Sequence, residues 1–496
     1  MKKEESTLIE KNIYANLSST DSISEFQEEV KKLLDLTKIE EWDGRTVKER
    51  EEKIREAALV LAGQCIAILL HKLSQSEVAH QTAINQTKGY WHPKTKRHGC
   101  RTREILTVGN VLVTLKLPYV VNRKEKNTEK NKLKTPGFCP WLKWLGMSEG
   151  LTPLVWSNIA KYGAIASSFE AAQTILSDWG IDMSLKRIER LTYKFGKIGI
   201  DLRQSQINKL QQGKLPNSDI LQNQRVVISV DGGRSKIRLN KKGRKNPKTN
   251  RHGFIGEWVE PKLLTIYVVD EQGKKVKTQD IPITNDGTYE DYKGFLPILE
   301  MHLVRLGISQ AKQVILIADG AEWIWKHIPP LLEKLNSPKE TYQLLDFYHV
   351  TERLQKFADV AFSDESERKQ WFKQARKTLK KSQALTVIRQ MDEFIAKATG
   401  ERCQTMVIQR NYLLRAYREG RLKYAQVSAQ KLPIGSGAIE SLIRQVVNLR
   451  IKGNSKFWLK NNAEIMLHLR CQWMAHSWDN FCDSIFTSFI HPQTVG

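Results

Sequence analysis

The spacing of apolar residues changes several times along the chain, and each change predicts a different kind of element. Between residues 48 and 86 apolar side chains recur near the 3.6-residue period of a helix face. Residues 103–121 are instead rich in β-branched side chains around Gly109-Asn110, which predicts two strands joined by a tight turn. Residues 1–45 are polar with only scattered apolar positions, so we expect a flexible N-terminal arm.

Two amphipathic helices separated by a turn are predicted between residues 168 and 200. Ser168 is a good N-cap for the first helix, Gly180 supplies the turn, and the second helix begins behind Ser184. This order is typical of a helix-turn-helix, whose second helix enters the major groove of DNA. Its predicted DNA-contacting residues are Lys186, Arg187 and Arg190. An αα-hairpin that only packs is the alternative interpretation.

Strand and helix patterns alternate from residue 225 onward. The predicted elements are strands at 225–233, 263–270 and 275–284, a helix at 295–308, a strand at 313–321, a helix at 321–335 and a strand at 341–350. This order predicts an α+β fold compatible with a ribonuclease-H-like sheet, in which the first and fourth strands can lie side by side.

Two of these strands end in the same way, because VVISVDGG stops at Asp231 and VILIADGA stops at Asp319. If the strands are neighbours, two carboxylates converge, and metal ions are needed to neutralise such a pair. Oxygen ligands favour Mg²⁺ or Mn²⁺ over zinc. The following glycines would let a phosphate backbone approach closely. Taken singly, each Asp-Gly pair is more often only a turn.

A third acid lies in the segment 435–458, GSGAIESLIRQVVNLRIKGNSKFW. Ser436 is predicted to cap a helix there. The apolar face of that helix is predicted to consist of Ile439, Leu442, Ile443, Val446 and Leu449. Glu440, Arg444 and Asn448 are spaced four residues apart and form a polar ridge. A single Glu on a helix is usually solvated, so Glu440 matters mainly in the company of the two aspartates.

Charge indicates the partner. The chain has 79 Lys and Arg against 54 Asp and Glu, a formal charge of +25, which favours a nucleic acid partner. An anionic membrane is the rival, but we find no apolar stretch close to the roughly 20 residues of a spanning helix and expect no membrane partner. The start MKKEESTLIEKN has no signal-like apolar core, and the six cysteines form no CxxC pair, so we expect a reducing cytoplasm, where the charge of the chain favours association with the nucleoid.

The stretch 234–253 holds nine Lys or Arg and no acid. It is predicted to be a loop between the first two strands, beside the proposed metals, where it would contact DNA phosphates. A solvated face is the alternative. The residues predicted to bind DNA here and near Glu440 are Arg234, Lys236, Arg238, Lys241, Lys242, Arg244, Lys245, Arg444, Arg450 and Lys452.

The three acids, each in its local setting, resemble the DDE triad of a transposase with a ribonuclease-H-like fold. DFYHV places Asp346 and His349 as in the (C/D)xxH motif found between the second acid and the Glu in several such families. More specifically, SVDGGR, IADGAEWIW, DFYHV and GSGAIESLIRQVVNLRIKGNSKFWLKNNAEIMLHLR resemble, in order, the ISKra-type insertion-sequence transposases of bacteria. The resemblance extends back to about residue 100.

This resemblance implies that Asp231, Asp319 and Glu440 bind Mg²⁺ and cut DNA ends by hydrolysis, after which the 3′-hydroxyl joins target DNA. It also implies double-stranded DNA as the partner, both transposon ends and target, and a homodimer or higher oligomer on that DNA. His349 would contact the scissile phosphate or steady the end of the sheet, and Asp346 would be auxiliary. The roughly 85 residues between His349 and 435 are helix-patterned, which indicates a helical insertion domain.

Within that insertion, Trp371 is interpreted either as a core residue or as a platform for a displaced base. The family's upstream region often carries two cysteines after its β segment, whereas this chain has YVVNRK there. His92, His98, Cys100 and Cys139 match no standard zinc spacing, so no zinc is expected. A catalytically silent DNA-binding regulator and a metal-dependent nuclease of the same fold are the alternative functions.

The expected domains are a flexible arm (1–45), a helical and β-hairpin domain (46–135), a helix-turn-helix-like DNA-binding region (136–215), the first part of the catalytic domain (216–350), the α-helical insertion (351–433), and the final catalytic helices with a C-terminal tail (434–496).

Overall fold

The chain divides into two compact units, which are described separately. One comprises Met1–Leu202 with Asp479–Gly496, and the other comprises Arg203–Trp478. The computed structural model describes residues 13–15, 21–38, 43–91, 93–122, 137–250, 252–278, 280–453 and 456–490. Within these residues the fold is a mixture of helices and three β-sheets.

The first unit is mainly helical and carries one small sheet. Its elements are β1 (Ile13–Ala15), α1 (Asp21–Asp35), α2 (Gly44–Gln75), α3 (Glu77–Gln86), β2 (Thr95–Leu106), β3 (Val111–Asn122), α4 (Pro140–Trp144), α5 (Pro153–Ile165), α6 (Phe169–Asp178) and most of α7 (Leu185–Gln211). The helix α1 lies in the segment that we expected to be a flexible arm, so that segment contains regular structure.

The predicted hairpin is confirmed, since β2 and β3 pair in antiparallel fashion. Gly109 and Asn110, both at positive φ, make the turn between them. The helix α2 packs against this turn, where the Thr107 hydroxyl donates to the carbonyl of Gly63 at 3.4 Å. A Cβ on Gly63 would lie only 2.8 Å from a methyl group of Val111, so glycine permits the close approach.

The helix α2 is more apolar than the sequence analysis allowed. Part of it, over 18 residues, has a mean hydropathy of 1.7, and only 17% of that window is buried. By length and composition alone, α2 could therefore cross a membrane, and our expectation that no stretch approaches this length was wrong. A core helix of a soluble protein can have the same length and composition, so this feature alone does not place α2 in a membrane.

The two helices predicted after residue 168 and the turn between them are present. The Ser168 hydroxyl accepts from the amide of Ala171 at 3.0 Å and caps α6, and Gly180 at φ +61° makes the turn. The second helix, α7, has 27 residues and is much longer than a recognition helix requires. It continues because its apolar face continues, with Leu191 and Phe195 fully buried.

The second unit contains two sheets and most of the remaining helices. Its elements are β4 (Arg225–Gly232), β5 (Ser235–Lys245), β6 (His252–Val259), β7 (Lys262–Val269), β8 (Thr284–Thr288), α8 (Tyr292–Leu306), β9 (Gln313–Ala318), α9 (Glu322–Lys334), β10 (Thr341–Leu345), α10 (Phe347–Ala361), α11 (Glu365–Lys380), α12 (Ala384–Ile395), α13 (Gly400–Arg418), α14 (Tyr424–Ala429), α15 (Gly437–Ile443), β11 (Trp458–Leu459) and α16 (Lys460–Met474). The last helix, α17 (Trp478–Ser488), falls almost wholly in the first unit.

The larger sheet has the strand order β10-β9-β4-β7-β8. Its central strand β4 is antiparallel to β7 and parallel to β9, and β9 is parallel to β10. The strands that end in the two aspartates are therefore neighbours, as predicted. Every residue of β9 is buried, which agrees with its unbroken apolar run.

The third strand of this sheet was misplaced. We predicted it at 275–284, but β8 covers Thr284–Thr288. The turn after β7 is present, because the Asp270 carboxylate accepts from the amides of Gln272 and Lys274. The polar sequence TNDGT does not look like a buried strand. Asp286 is nevertheless fully buried there, because it pairs with Arg203, which is distant in the chain.

The basic stretch 234–253 is not a loop. It forms the β5–β6 hairpin, which joins β11 in a three-stranded sheet of order β11-β5-β6. Ser235 and Ile237 point inward and are buried, while the alternating cations of β5 point outward. The high charge concealed this alternation, which is the signature of a strand with one buried face. The segment DFYHV is likewise the start of α10 and not the end of a strand.

Helices cover the larger sheet and extend its core. The apolar core of the sheet is continuous with that of α10 to α14, the predicted helical segment. Trp371 belongs to this core, with its ring centroid 5.2 Å from Phe357 and 5.8 Å from Phe362. It is therefore packed among aromatic side chains and is not placed as an open platform for a base.

Candidate functional site at the ends of β4 and β9

The register of β4 and β9 sets the geometry of the candidate site. Val230 is the partner of Ala318 in this parallel pair, and each is followed directly by an aspartate. Asp231 and Asp319 thus leave adjacent strands at the same level, where neighbouring strands lie about 4.8 Å apart. Both residues are partly buried.

The environment of Asp231 opposes its ionisation. Burial is the main cause, and the negative charge of Asp319 adds to it, so the pKa of Asp231 rises to about 7. The amide of Gly232, which donates to Asp231 at 2.6 Å, and the nearby His349 act in the opposite direction. Glu440 raises the pKa further. The four titratable groups therefore share one electrostatic neighbourhood.

Asp319 is held by the start of the helix after it. Its carboxylate accepts from the amide of Ala321 at 3.0 Å, and its carbonyl accepts from the Trp325 indole at 2.7 Å. The strand end is also tied to β10, because the amide of Asp346 donates to the carbonyl of Ala318 at 2.8 Å. The position of Asp319 is thus fixed on both sides.

Asp346 is fully buried and connects two helices of the site. One carboxylate oxygen accepts from the amides of Tyr348 and His349, at 2.5 and 2.9 Å, and caps α10. The other oxygen accepts from the amide of Ser436, immediately before α15. His349 lies on α10 and Glu440 on α15. Asp346 therefore positions both residues by holding the first turns of their helices.

Glu440 faces His349 at the open side of the site. The Nε2 atom of His349 lies 3.9 Å from a carboxylate oxygen of Glu440, whose side chain is 49% exposed. The same oxygen accepts from the Ser436 hydroxyl at 3.3 Å. We had predicted that the Ser436 side chain caps the helix. It does not, and its hydroxyl instead contacts the acid four residues later.

A cavity beside Asp319 reveals residues that the sequence analysis missed. It has a volume of about 270 Å³ and is lined by Asp319, Gly320, Ala321, His349, Glu352, Arg353, Lys356 and Tyr412. The Arg353 guanidinium lies 4.7 Å from the centre of the Tyr412 ring. Arg353 and Lys356 come four and seven residues after His349 on α10, and this spacing could have placed them on its face. No local signal pointed to Tyr412 on α13.

Gly232 and Gly320 were predicted to let a phosphate backbone approach, but protein side chains lie against them instead. A Cβ on Gly232 would collide with the carboxylate of Glu260, and a Cβ on Gly320 would collide with the Tyr412 hydroxyl. Protein side chains therefore fill the space that we had assigned to a phosphate backbone. Glu260 also adds an exposed acid close to Asp231 that the sequence analysis overlooked.

The two aspartates fit a divalent cation in donor chemistry and in charge. Both offer carboxylate oxygens, and a cation would favour the charged form of Asp231, whose pKa is raised first by burial and then by the charge of Asp319. In the described part of the chain, however, no group of three or more His, Cys, Asp or Glu side chains is arranged to hold a metal. Glu440 can therefore complete a ligand set only by moving its side chain.

The helix that carries Glu440 differs from the prediction beyond Ile443. Residues 444–448 form a π-helical turn, which adds one residue to the turn and rotates the residues after it. Leu449, expected on the apolar face, is consequently 59% exposed, while Val447 is buried. Arg444 and Asn448 remain exposed beside Glu440, as the polar ridge requires.

The predicted DNA-binding cations differ in their exposure to solvent. Arg450 does not face solvent as a DNA contact requires, because it is only 3% exposed and its guanidinium lies over the Trp458 ring at 5.1 Å. In the first unit, Arg190 pairs with Glu149 at 3.2 Å. The predicted cations with exposed side chains are Arg234, Lys236, Arg238, Arg244, Lys245, Arg444, Lys452, Lys186 and Arg190, and Arg187 is half-buried. The side chains of Lys241 and Lys242 lie outside the described structure.

The cysteine residues considered for zinc differ in exposure. Cys139 is buried, and burial raises the pKa of its thiol, to which the exposed Cys100 adds electrostatically. His92 lies outside the described residues. These positions remain without a predicted ligand role.

Comparison with solved structures gives a likeness of low similarity. The chain is similar to a solved chain described as "Drosophila P element transposase strand transfer complex", with 10% sequence identity and a TM-score of 0.22. The match covers 68% of this chain and 80% of that chain. No protein-family model and no curated protein matches. The likeness is too slight to assign a fold or an activity.

Proposed function

We propose that this chain is a DNA transposase that cuts DNA ends and joins them to target DNA. The observation that carries the proposal is the placement of Asp231 and Asp319 at the ends of adjacent parallel strands, with Glu440 and His349 in the same electrostatic neighbourhood. The strand order, with three antiparallel strands followed by two parallel ones beside the first, supports a ribonuclease-H-like sheet. The four blocks that resemble the ISKra-type transposases support the DDE assignment.

The proposed reaction has two phosphoryl-transfer steps. In the first, a water oxygen bonds to phosphorus and the bond to O3′ breaks, which leaves a 3′-hydroxyl and a 5′-phosphate. In the second, that 3′-hydroxyl attacks a phosphorus of the target and displaces a target 3′-oxygen. No covalent link to the protein is needed, so a nucleophilic Ser or Tyr has no role.

Asp231, Asp319 and Glu440 would hold Mg²⁺, or Mn²⁺ in its place. When bound, these ions polarise the phosphoryl oxygens and activate the attacking oxygen. The chain's own contribution is to position the charges. Arg353 and Lys356 bring cations to the cavity beside Asp319, where they can bind the oxygens of a DNA phosphate. His349 lies between Glu440 and Glu352, within 3.9 Å and 3.7 Å, and orients both carboxylates.

The test is cleavage and strand transfer on DNA that carries the ends of the genetic element encoding the chain. Wild type is compared with Asp231→Asn, Asp319→Asn and Glu440→Gln, and Glu365→Gln on α11 is the control, since it is an exposed acid outside the site. The expected result is that the three site variants bind the ends but neither cut nor join, while the control does both.

Other outcomes distinguish the alternatives. Cutting without joining of paired ends would identify a metal-dependent nuclease. End binding by wild type without any cutting would identify a DNA-binding regulator of the same fold. A site variant that keeps wild-type activity would show that the proposed triad is misplaced.

A further inference from the structure

One face of the three-stranded sheet of β11, β5 and β6 exposes aromatic side chains that the proposed metal site does not account for. Its inner face is buried at Ser235, Ile237 and Trp458, whereas Ile255, on the same side of the edge strand β6, is 44% accessible. Its outer face exposes the aromatic rings of Phe254, Trp258 and Phe457, which are 38%, 53% and 40% accessible. Soluble proteins rarely leave several large rings together on one surface without a partner.

Cations are interleaved with these rings. The Arg238 guanidinium lies 5.2 Å from the centre of the Phe254 ring, and that of Arg234 lies 5.1 Å from the Trp258 ring. The ammonium group of Lys236 lies 6.0 Å from the Phe457 ring. The aromatic and basic side chains thus form one surface, which we name the outer face of the hairpin sheet.

Gly256 makes room for a lysine side chain between two of the rings. Phe254, Gly256 and Trp258 alternate along β6 and share the outer face, because side chains two residues apart point the same way. A Cβ on Gly256 would lie 2.9 Å from the Cε atom of Lys236. The aliphatic part of the Lys236 side chain therefore packs over the glycine, and its ammonium group lies toward the Phe457 ring.

We infer that this outer face binds unpaired DNA, with bases stacked on the rings and phosphates held by the cations. Stacking needs the flat face of a base, which a strand outside a duplex exposes and a paired base keeps covered. The exposed cations Arg234, Lys236, Arg238, Arg244 and Lys245 of β5 and the residue before it supply the charge that a DNA strand requires. This inference rests on the proposed function, since a cut DNA end is where a strand can leave the duplex.

A second copy of this chain is a poorer occupant. The chain carries a formal charge of +25, and the face itself presents Arg234, Lys236 and Arg238. Two such faces would bring like charges together, which opposes association. The combination of exposed rings and clustered cations fits a polyanion with flat apolar groups.

The experiment measures the binding of full-length protein to a fluorescent oligo-dT strand of about 15 nucleotides, and to a duplex of equal length, by anisotropy in metal-free buffer. The variants are Trp258→Ala, Phe254→Ala and Trp258→Phe. The matched control is Ile255→Ala, which removes an exposed apolar side chain from the other face of the same strand. Because these residues are exposed, the variants should fold.

We expect Trp258→Ala to weaken single-strand binding about tenfold, and Phe254→Ala to weaken it in the same direction. Trp258→Phe should retain most of the affinity because it keeps a ring, and duplex affinity should change less than about twofold. The inference is overturned if Trp258→Ala binds the single strand as wild type does, if duplex binding falls equally, or if the variant changes only the oligomeric state.

The two proposals fail separately in this design. Binding is measured without metal, so a protein that binds the single strand through Trp258 but never cuts DNA would sink the proposed function and keep this inference. A protein that cuts and joins DNA while Trp258→Ala binds oligo-dT normally would do the opposite.

Discussion

Asp231 and Asp319 stand side by side because Val230 and Ala318, the residues before them, are partners in a parallel strand pair. One aspartate ends the central strand, and the other ends its neighbour 88 residues later in the chain. The cost of this arrangement is visible at Asp231, whose pKa rises to about 7 through burial and through its neighbour's charge. The fold thus keeps two acids close together at the expense of the ionisation of Asp231.

Asp231→Asn should stabilise the metal-free protein at pH 8, and its stabilising effect at pH 5 should be less than half as large. The folded-state pKa of about 7 lies above the value of about 4 in the unfolded chain. Wild-type stability is therefore full below pH 4 and falls as the pH rises to 7, whereas Asn carries no charge. The gain at pH 8 should be on the order of 2–4 kcal/mol.

Chemical denaturation at the two pH values, with EDTA present, measures this gain. Mg²⁺ should reduce the difference between variant and wild type, because the cation stabilises the charged carboxylate. Equal effects of the substitution at pH 5 and pH 8 would contradict the pKa assignment.

Arg203→Met should destabilise the second unit strongly, by roughly 3–5 kcal/mol. Arg203 is buried and donates to Asp286 at 2.8 Å and to Glu464 at 2.7 Å. Without it, the fully buried Asp286 is left with His302 and His468 as its hydrogen-bonded side chains, at 2.9 and 3.3 Å. The exposed pair of Lys197 and Asp201 supplies the control, since Lys197→Met should cost less than about 1 kcal/mol.

The Arg203–Asp286 pair also predicts a loss of stability in acid. The charge of Arg203 and the hydrogen bonds from His302 and His468 outweigh burial and hold the pKa of Asp286 well below its ordinary value. The pair therefore stabilises the fold above about pH 4, and this contribution is lost as the pH falls further. Denaturation from pH 6 down to pH 3 should show a smaller loss in Arg203→Met than in wild type.

Asp346→Ala should reduce DNA cleavage by at least about tenfold, a loss that exceeds what the change in stability explains. The substitution removes the cap of α10 and the acceptor for the amide of Ser436, so His349 and Glu440 lose their common support. Asp364→Ala is the matched control, because Asp364 caps α11 in the same way, away from the site.

Both substitutions should cost about 1–2 kcal/mol in unfolding experiments, but only Asp346→Ala should impair cleavage. Since Asp346 acts through other residues, the rate of cleavage should fall while the affinity for DNA ends stays near that of wild type. A parallel loss of binding and cleavage would argue that the substitution only unfolds the site.

Arg353→Ala and Lys356→Ala should weaken the binding of DNA ends and lower its dependence on salt. Each cation lines the cavity beside Asp319, and the loss of one phosphate contact should reduce the slope of log affinity against log salt concentration by about 1. Lys369→Ala on α11 is the control, because Lys369 is paired with Glu365 outside the cavity. Unchanged slopes in both cavity variants would exclude them as phosphate contacts.

Much of the local structure could be predicted from the sequence. The Ser168 cap, the turn at Gly109 and Asn110, and the buried strand before Asp319 were confirmed because each depends on residues close in the chain. The errors arose where charge concealed a pattern. The alternation that buries Ile237 went unnoticed among the cations of β5, and the polar strand β8 was placed too early.

The candidate site was predictable only in part. Asp231 and Asp319 carried a local signal in their strands, whereas Tyr412 lies 93 positions beyond Asp319 in the chain and reaches the cavity from another helix. Arg450 shows the reverse case. Its position in a basic segment suggested a DNA contact, but the fold buries it against Trp458.

The sequence by itself determined which segments become strands and helices and which acids stand at their ends, because the period of apolar side chains and the capping residues act over a few neighbours. Only the tertiary structure decided that Val230 pairs with Ala318, that Asp346 supports two helices at once, and that one face of the hairpin sheet stays exposed. These relations join residues about 90 positions apart or depend on what covers a face. They are settled by packing and burial across the whole unit, which no short segment contains.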